Sequence, residues 1–305
     1  MGNRAALDSS LPWPKGAAIP RTMARNSRRL MLSAAVVLLA ALALVYLFPL
    51  YWMFTGSLKL QKGVIHIPPE WFPSPASLGN WNNLFSIRTI HPLQWLQNSV
   101  IVAASTVILS VSLSALTGYA FAKKRFIGSR VLFFLILATM MLPSQVTMIP
   151  LYLLVRRIHL YNTYAGMVVP MIASPFGIFL MRQFMQSIPN ELIDAARIDG
   201  ASEIGVFSRV VAPLAGPALS ALSIFTFFNA WNNFMWQLLM AGDNRMMTLP
   251  VGVAYLSQVP VGDKVLIDQG LLMAGGTLGA IPMIVFFVLF QRYFVRGIML
   301  GAVKG

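Results

Sequence analysis

The chain has 305 residues, of which 57% are hydrophobic and 10% charged, and its mean hydropathy is +0.70. A soluble domain of this length could not cover so much apolar surface, so the composition excludes a soluble globular protein and indicates a membrane protein. The net charge of +14 comes from basic residues beside apolar segments, which favours contact with anionic lipid over contact with nucleic acid.

Six segments without charged residues predict an all-α membrane protein with six transmembrane helices. Each segment reaches the length of about 20 mostly apolar residues that a helix needs to cross the bilayer core. A helix is required because lipid offers no hydrogen-bonding partner to backbone groups. In chain order the segments are Leu30–Leu58, Pro92–Ala122, Val131–Val155, Ile158–Met181, Val210–Gly242 and Gln269–Gln291.

The positions of Lys and Arg predict that both termini lie in the cytoplasm. With an inner N-terminus, the inner segments hold sixteen of the 23 basic residues. This agrees with the enrichment of Lys and Arg in cytoplasmic loops. The pair Arg156-Arg157 falls on the outer side and departs from the rule.

Three parts of the chain follow from these predictions. Residues 1–29 form a cytoplasmic N-terminal arm rich in Pro, Arg and Ser, residues 30–296 form the membrane domain, and residues 297–305 form a cytoplasmic tail. The longest inner loop covers about 187–213, and residues 243–268 form a sizeable outer loop.

The inner loop at 187–213 concentrates acidic residues. Of the nine acidic residues in the chain, four lie in it, namely Glu191, Asp194, Asp199 and Glu203. Ser187 is predicted to cap a helix that runs to about Ile198, with Pro189 in its first turn, and Gly200 to end it. Ser202 and Glu203 then begin a second short helix, which Pro213 ends.

The first of these short helices is predicted to dock into a groove of a partner protein. Ala195, Ala196 and Gly200 have little or no side chain, so another surface can approach closely, and Glu191 and Asp194 supply charge. Apolar contacts with the partner are expected from Leu192, Ile193 and Ile198. The alternative is an amphipathic helix on the membrane surface, but such helices prefer a basic polar face.

The residues give no support for catalysis by this chain. The sequence has no Gly-rich phosphate-binding loop, no cluster of His, Asp and Glu suited to a metal, and no cysteine, so no cofactor or metal site is predicted. All acidic residues also lie outside the apolar segments, which argues against an ion-coupled secondary carrier. That carrier stays open as the alternative, because a sodium site can be built from backbone carbonyls, and a membrane scaffold that transports nothing is a third possibility.

The inner loop resembles the EAA loop of binding-protein-dependent ABC importer permeases. The matching run is Glu191-Leu192-Ile193-Asp194-Ala195-Ala196-Arg197-Ile198-Asp199-Gly200-Ala201, followed by Pro213. The variant is similar to that of the carbohydrate-uptake branch, which includes the smaller permease subunit of the maltose transporter. Further matches are Asn98-Ser99, Tyr119-Ala120-Phe121-Ala122, Arg182-Gln183-Phe184, Ala230-Trp231-Asn232-Asn233, the segment Gln291–Gly297 and the terminal Gly301–Gly305.

The resemblance implies a type I ABC importer transmembrane-domain fold with a cytoplasmic coupling helix. It implies that the coupling contact with the ATPase is made by Glu191, Ala195, Ala196, Asp199 and Gly200, to which the loop chemistry adds Asp194. Implied partners are a homologous permease, two ATPase subunits that bind ATP and Mg, and an extracytoplasmic solute-binding protein, at a bacterial or archaeal inner membrane. The tail 301–305 would reach the ATPase dimer, and the outer loop 243–268 would probe the binding protein.

A solute pathway is predicted in the fifth apolar segment. Asn229, Asn232, Asn233 and Trp236 are spaced at i, i+3, i+4 and i+7, which places them on one face of a helix. Amides can bond to sugar hydroxyls and an indole can stack on a sugar ring. A hydrogen-bonded contact with the partner permease explains the same face, and both interpretations stay open. Ser144 and Gln145 are weaker candidates. The solute could be a sugar, a polyol or a glycerol-phosphate ester.

Overall fold

The computed structural model describes residues 21–60, 64, 66–259 and 268–302, and within these ranges the side chains from 31 to 291. This described part is helical and contains no strand. The chain divides into two compact units, Met1–Tyr51 and Trp52–Gly305. In the first unit, the described side chains belong to one helix, and those from 31 to 50 are exposed, which suits a helix surrounded by lipid or by other chains.

The α-helices of the described residues are these, in chain order: α1 Arg21–Ser57, α2 Gly79–Ser86, α3 Pro92–Lys123, α4 Ser129–Thr139, α5 Ser144–Arg157, α6 Tyr164–Ile172, α7 Pro175–Gln186, α8 Asn190–Ile198, α9 Glu203–Leu214, α10 Gly216–Trp231, α11 Met235–Met240, α12 Leu249–Tyr255 and α13 Gln269–Ala302. Within α9 the turn Phe207–Val211 is π-helical.

Three of the predicted membrane segments are single long helices. They are Met31–Ser57 within α1, the whole of α3, and Gln269–Gln291 within α13. The other three segments are pairs of shorter helices, with bends of 100° between α4 and α5, 44° between α6 and α7, and 80° between α9 and α10. The described residues therefore hold three clear membrane spans, or six if each bent pair counts as one.

Proline explains where the three bent segments break. Pro143 directly precedes α5, Pro175 is the first residue of α7, and Pro217 is the second residue of α10. Proline lacks a backbone N–H and clashes with the preceding turn, so it is accepted at the start of a helix and breaks one that runs through it. Each of the segments 131–155, 158–181 and 210–242, expected to form one transmembrane helix, is therefore interrupted. The segment 210–242 is broken a second time, between α10 and α11, where no proline lies.

Helical structure extends into the predicted arm and the predicted tail. Helix α1 already begins at Arg21, within the predicted arm, because no Gly or Pro lies between Arg21 and Arg29 to interrupt it. At the other end α13 continues to Ala302, through most of the predicted tail. Residues 1–20 of the arm and 303–305 of the tail lie outside the described residues.

Helix α3 lies at the centre of the second unit, where it packs against α6, α7, α10 and α12. Its contact with α7 is very close, because a Cβ atom at Gly118 would lie 2.6 Å from Cβ of Met181. A second close approach lies farther along α7, where a Cβ at Gly177 would be 2.5 Å from Oγ of Ser114. Small residues thus bring the two helices together, as is common in membrane proteins.

Candidate functional site

Helix α8 forms the centre of the inner loop. It begins at Asn190, so Pro189 precedes the helix and does not lie in its first turn as expected. It ends at Ile198, as predicted, and Gly200 has the left-handed φ of +83° that ends such a helix. The predicted cap at Ser187 was wrong. Its hydroxyl donates to the carbonyl of Phe184 at 2.7 Å, because α7 extends to Gln186 and Ser187 closes that helix instead.

The second short helix starts where it was expected. The hydroxyl of Ser202 accepts a hydrogen bond from the backbone N–H of Gly205 at 3.2 Å, so Ser202 caps α9. The helix passes through Pro213 and ends at Leu214, one residue later than predicted. The inner loop is therefore two short helices joined at a left-handed glycine.

Helix α8 is anchored to the membrane helices by one apolar side chain. Ile193 is 2% exposed and packs in a cluster with Met181 and Met185 of α7 and Val206 of α9. Ala196 is partly buried against the same cluster. Ile193, which was expected to face a partner, therefore faces the chain's own core.

Polar contacts tie α8 to the C-terminal end of α3. The Glu203 carboxylate pairs with Lys124 and with Arg197, whose Nε lies 3.2 Å from Oε1, and it accepts a hydrogen bond from the Tyr119 hydroxyl at 3.2 Å. Arg197 also pairs with Asp194 at 2.9 Å. Glu203 thus joins α3, α8 and α9.

One face of the inner loop is left open to solvent. Of the predicted contact residues, Glu191, Asp194, Ala195, Asp199 and Gly200 are exposed. Three large apolar side chains lie exposed beside them, and their exposed fractions are 45% for Leu192, 86% for Ile198 and 79% for Ile204. Sequence reasoning missed Ile204, although an Ile in the first turn of a short polar helix is the signal that could have found it.

The four residues of the predicted solute pathway do not share one helical face. Helix α10 ends at Trp231 and α11 begins at Met235, so the helix is broken between Asn229 and Trp236. The side-chain amides of Asn229 and Asn232 donate back to the carbonyls of Phe225 and Phe228, at 2.8 and 2.9 Å. Such local bonds compete with the regular helix.

Trp236 and Asn233 have structural roles in this break. The indole N–H of Trp236 donates to the carbonyl of Gly166 in α6 at 3.2 Å, and the side chain is buried. The Asn233 side-chain oxygen accepts from the backbone N–H of Trp236 at 3.3 Å, near the start of α11. Asn229 and Asn233 nevertheless line a common cavity of about 250 Å³.

Five further polar residues line that cavity and were missed in the sequence: Thr106 and Ser110 of α3, Ser174 just before α7, Thr226 of α10 and Gln237 of α11. The signal that could have found the first two is a row of hydroxyl residues four apart, at 106, 110 and 114, in an otherwise apolar segment. The weaker candidates Ser144 and Gln145 lie exposed at the start of α5 and do not line it.

The outer segment after α11 is less of a loop than predicted. It contains the 3-10 turns Asn244–Met246 and Leu256–Gln258 on either side of α12. The side-chain amide of Asn98 in α3 holds this segment in place by donating hydrogen bonds to the carbonyls of Arg245 and Met247 at 2.7 and 2.8 Å. Residues 260–267 lie outside the described part.

A carboxylate is held at the start of this outer segment. Asp243 accepts hydrogen bonds from the Asn162 amide at 2.8 Å and from the backbone N–H groups of Arg245 and Met246 at 2.8 and 3.1 Å. These bonds, the one from Asn162 above all, lower the pKa of the Asp243 carboxyl. Among the described side chains, no group of three or more His, Cys, Asp or Glu could hold a metal.

Comparison with known proteins matches residues 110–300 to the family described as binding-protein-dependent transport system inner membrane component. The chain belongs to this family. The permease is 36% identical to the arabinooligosaccharides transport system permease protein AraQ of Bacillus subtilis (strain 168), over 87% of this chain and 92% of AraQ. It is 31% identical to the trehalose/maltose transport system permease protein MalG of Thermococcus litoralis, over 91% and 98% of the two chains.

A third relative is the sn-glycerol-3-phosphate transport system permease protein UgpE of Salmonella typhi, at 32% identity over 91% of the permease and 99% of UgpE. Among solved structures, a chain of a bacterial ABC transporter that imports the acidic polysaccharide alginate superposes with a TM-score of 0.77 at 24% identity, over 88% of the permease and 98% of that chain. The permease therefore has the type I ABC importer fold.

Family membership establishes the general role of the permease. It is a multi-pass membrane subunit of a binding-protein-dependent ABC importer, and such an importer works with a solute-binding protein. Subunits of this family are transporter components and not enzymes themselves. The ion-coupled carrier finds no support in the family or its relatives.

Proposed function

We propose that the permease forms half of the translocation pathway of an ATP-driven importer of sugars or related solutes, and that α8 docks into an ATPase subunit. The observation that carries the docking role is the two-sided construction of α8. One side is fixed to the membrane helices by Ile193 and, through Arg197, by Glu203 of α9. The other side, with the turn that follows it, exposes acids, a glycine and apolar side chains.

This construction suits the transmission of force. Because Ile193 packs on α7 and Glu203 pairs with Lys124 of α3, a displacement of α8 is passed to two membrane helices. ATP and Mg are bound by the ATPase subunits, whose closure pulls on α8. The membrane helices then open toward the outside to accept solute, and hydrolysis returns them to the inward-open state.

The complex comprises the permease, a homologous permease, two ATPase subunits and the extracytoplasmic binding protein. Both termini lie in the cytoplasm, where the tail 301–305 reaches the ATPase dimer. The segment 243–268 faces the binding protein. A solved alginate transporter in complex with an alginate-bound periplasmic protein, whose matched chain has a TM-score of 0.58 at 12% identity, shares the fold of the permease.

The solute is a sugar or a related compound. The names of the relatives support this class, since they refer to arabinooligosaccharides, to trehalose and maltose, and to sn-glycerol 3-phosphate. A binding screen of the purified binding protein against these compounds identifies which one is delivered.

Reconstitution of the complete complex in liposomes tests the proposal. Uptake should require ATP and the loaded binding protein. Replacing Glu191 and Gly200 together, as Glu191→Gln and Gly200→Ala, should abolish uptake while the complex still assembles and the ATPase still hydrolyses ATP. Normal uptake by this double variant would refute docking through α8. Uptake driven by an ion gradient without ATP would refute the ATP-driven mechanism and favour a secondary carrier.

A further inference from the structure

The cavity at the break between α10 and α11 has an unusual lining for a cleft between apolar helices, and it opens to the surface at Phe225 and Asn229. It measures about 250 Å³ and lies between α3, the junction of α6 and α7, and the broken fifth segment. The lining consists of Thr106, Ser110, Met171, Ser174, Phe225, Thr226, Asn229, Ala230, Asn233 and Gln237. All of these side chains are uncharged.

Three buried polar atoms in this lining have no hydrogen-bonding partner. They are Oγ1 of Thr106, Oγ of Ser110 and Oε1 of Gln237. Their residues are 4%, 0% and 1% exposed, so they are almost fully withdrawn from the surface. Leaving a buried polar group unpaired is unfavourable, so a partner inside the cavity would stabilise the protein.

The concentration of such atoms in one place points to a ligand. Six buried side-chain atoms without a partner occur among the described residues, and three of them line this cavity. Ser114, one turn farther along α3, has the same unpartnered hydroxyl but packs beside Gly177 and does not line the cavity. Ser114 is therefore a matched control for Ser110.

The lining chemistry selects an uncharged, hydroxyl-rich group. Hydroxyls and amides both donate and accept hydrogen bonds, as sugar hydroxyls do, and the Phe225 ring offers an apolar face. A phosphate or carboxylate would enter without a cation to offset its lost hydration. Small-molecule sites usually begin at about 300 Å³, so a cavity of 250 Å³ suits a single sugar ring.

We propose that this cavity binds one uncharged, hydroxylated ring of the transported solute, with Thr106, Ser110 and Gln237 as its hydrogen-bonding partners. The inference rests on the proposed function and adds a solute subsite to it. It also narrows the solute class, because the part that occupies the cavity carries no charge.

Thiol labelling of the complete complex tests the site, since the chain has no cysteine of its own. The complex contains either Ser110→Cys or Ser114→Cys and reacts with methyl methanethiosulfonate, an uncharged thiol reagent, with and without ATP. We expect Ser110→Cys to react at least tenfold faster than Ser114→Cys in one of these conditions. Trehalose or arabinotriose should slow that reaction at least threefold, and sn-glycerol 3-phosphate should not.

Two results would overturn the proposal. Equal rates at the two cysteines would mean that the cavity is closed, for example by a side chain of the partner permease. Fast labelling of Ser110→Cys without protection by either sugar would mean that the cavity holds only water.

Transport kinetics give a second, independent measurement. Ser110→Ala and Gln237→Leu should each raise the KM for sugar uptake about tenfold, while Ser114→Ala leaves it unchanged. ATP hydrolysis stimulated by the loaded binding protein should persist in all three variants. An unchanged KM in the first two would contradict the subsite. By contrast, absence of ATP-dependent uptake by the unsubstituted complex would refute the proposed function itself.

Discussion

At the scale of the residue, Gly200 gives the sharpest test of the inner loop. Its φ of +83° costs a residue with a side chain about 1–2 kcal/mol, and no atom lies within 4 Å of a Cβ built there. Gly200→Ala should therefore strain only the backbone at the end of α8. We expect the number of solute molecules transported per ATP to fall severalfold, measured in proteoliposomes.

Gly128 supplies the matched control for this experiment. It has the same φ of +83° and equally open surroundings, but it precedes α4 in a different loop. Gly128→Ala should introduce the same strain and leave transport per ATP unchanged. If the two variants lower transport per ATP equally, the loss does not depend on strain at the end of α8. The docking role of α8 would then lose support.

A pair of polar side chains on the outer side gives a second test at this scale. In Asp243→Asn the new amide NH₂ faces the Asn162 NH₂, so a hydrogen bond is replaced by two opposed donors. We expect a loss of about 1 kcal/mol in unfolding free energy. Adding Asn162→Asp should restore the lost stability. The carboxylate now at position 162 accepts a hydrogen bond from the amide now at position 243, and it also accepts one from the Gly242 N–H. Thermal unfolding of the complex in detergent measures both effects, and no rescue would contradict the assignment.

The same carboxylate predicts a pH dependence. The pKa of Asp243 is lowered in the folded chain, so its stabilising effect is present above the ordinary pKa of an Asp side chain and is lost as the pH falls through the lowered value. The difference in stability between the unsubstituted complex and Asp243→Asn should therefore shrink in acid. An equal difference at neutral and acid pH would contradict this.

At the scale of the element, the sequence locates the membrane segments but does not give their angles. Pro143 and Pro175 mark breaks, yet Pro49, Pro150 and Pro282 lie inside helices. A proline weakens the helix at its position, and the packing of both halves then decides how far the chain bends. The prediction of a single helical face through Asn229 and Trp236 was wrong because the helix breaks between α10 and α11. No proline lies at this break, so the sequence does not indicate it.

The contact between α3 and α7 predicts a helix-packing variant. In Gly118→Ala the added Cβ would meet Cβ of Met181 at 2.6 Å and the backbone N of Arg182 at 2.9 Å, so the helices must separate. Overpacking of this kind typically costs about 1–3 kcal/mol. We expect the unfolding free energy of Gly118→Ala to fall by that amount. Gly216→Ala is the control, since nothing lies within 4 Å of its Cβ. A change at Gly118 no larger than at Gly216 would show that α3 and α7 are not so close.

At the scale of the whole molecule, the sequence predicts which loop matters but not how it is held. Residues 191–200 form a local motif, so their helix and its glycine could be read directly. Glu203 and Lys124 lie 79 residues apart in sequence, and Ile193 meets Met181 only after α7 and α8 have folded together. Long-range pairs of this kind depend on the complete packing, and no local pattern encodes them. The row of hydroxyls in α3 is visible in the sequence, but its meeting with Gln237 of α11 at one cavity is hidden for the same reason.

The number of membrane crossings is decided by the side of the membrane on which His159 lies. This residue is exposed between α5 and α6, just after Arg156-Arg157, the basic pair that would favour the inner side. If each bent pair crosses the membrane, His159 is outside and Ile198 inside. If the pairs turn back within the membrane, both are on the same side.

Single cysteines and a membrane-impermeant maleimide separate these two arrangements in the cysteine-free chain. Ile67 and Ile127, which are 90% and 103% exposed, serve as outer and inner references. We expect His159→Cys to label with Ile67→Cys in right-side-out vesicles, and Ile198→Cys to label with Ile127→Cys only in inverted ones. Labelling of His159→Cys together with Ile198→Cys would show that the first two bent pairs turn back within the membrane. That would leave the basic pair inside and reduce the crossings to at most four.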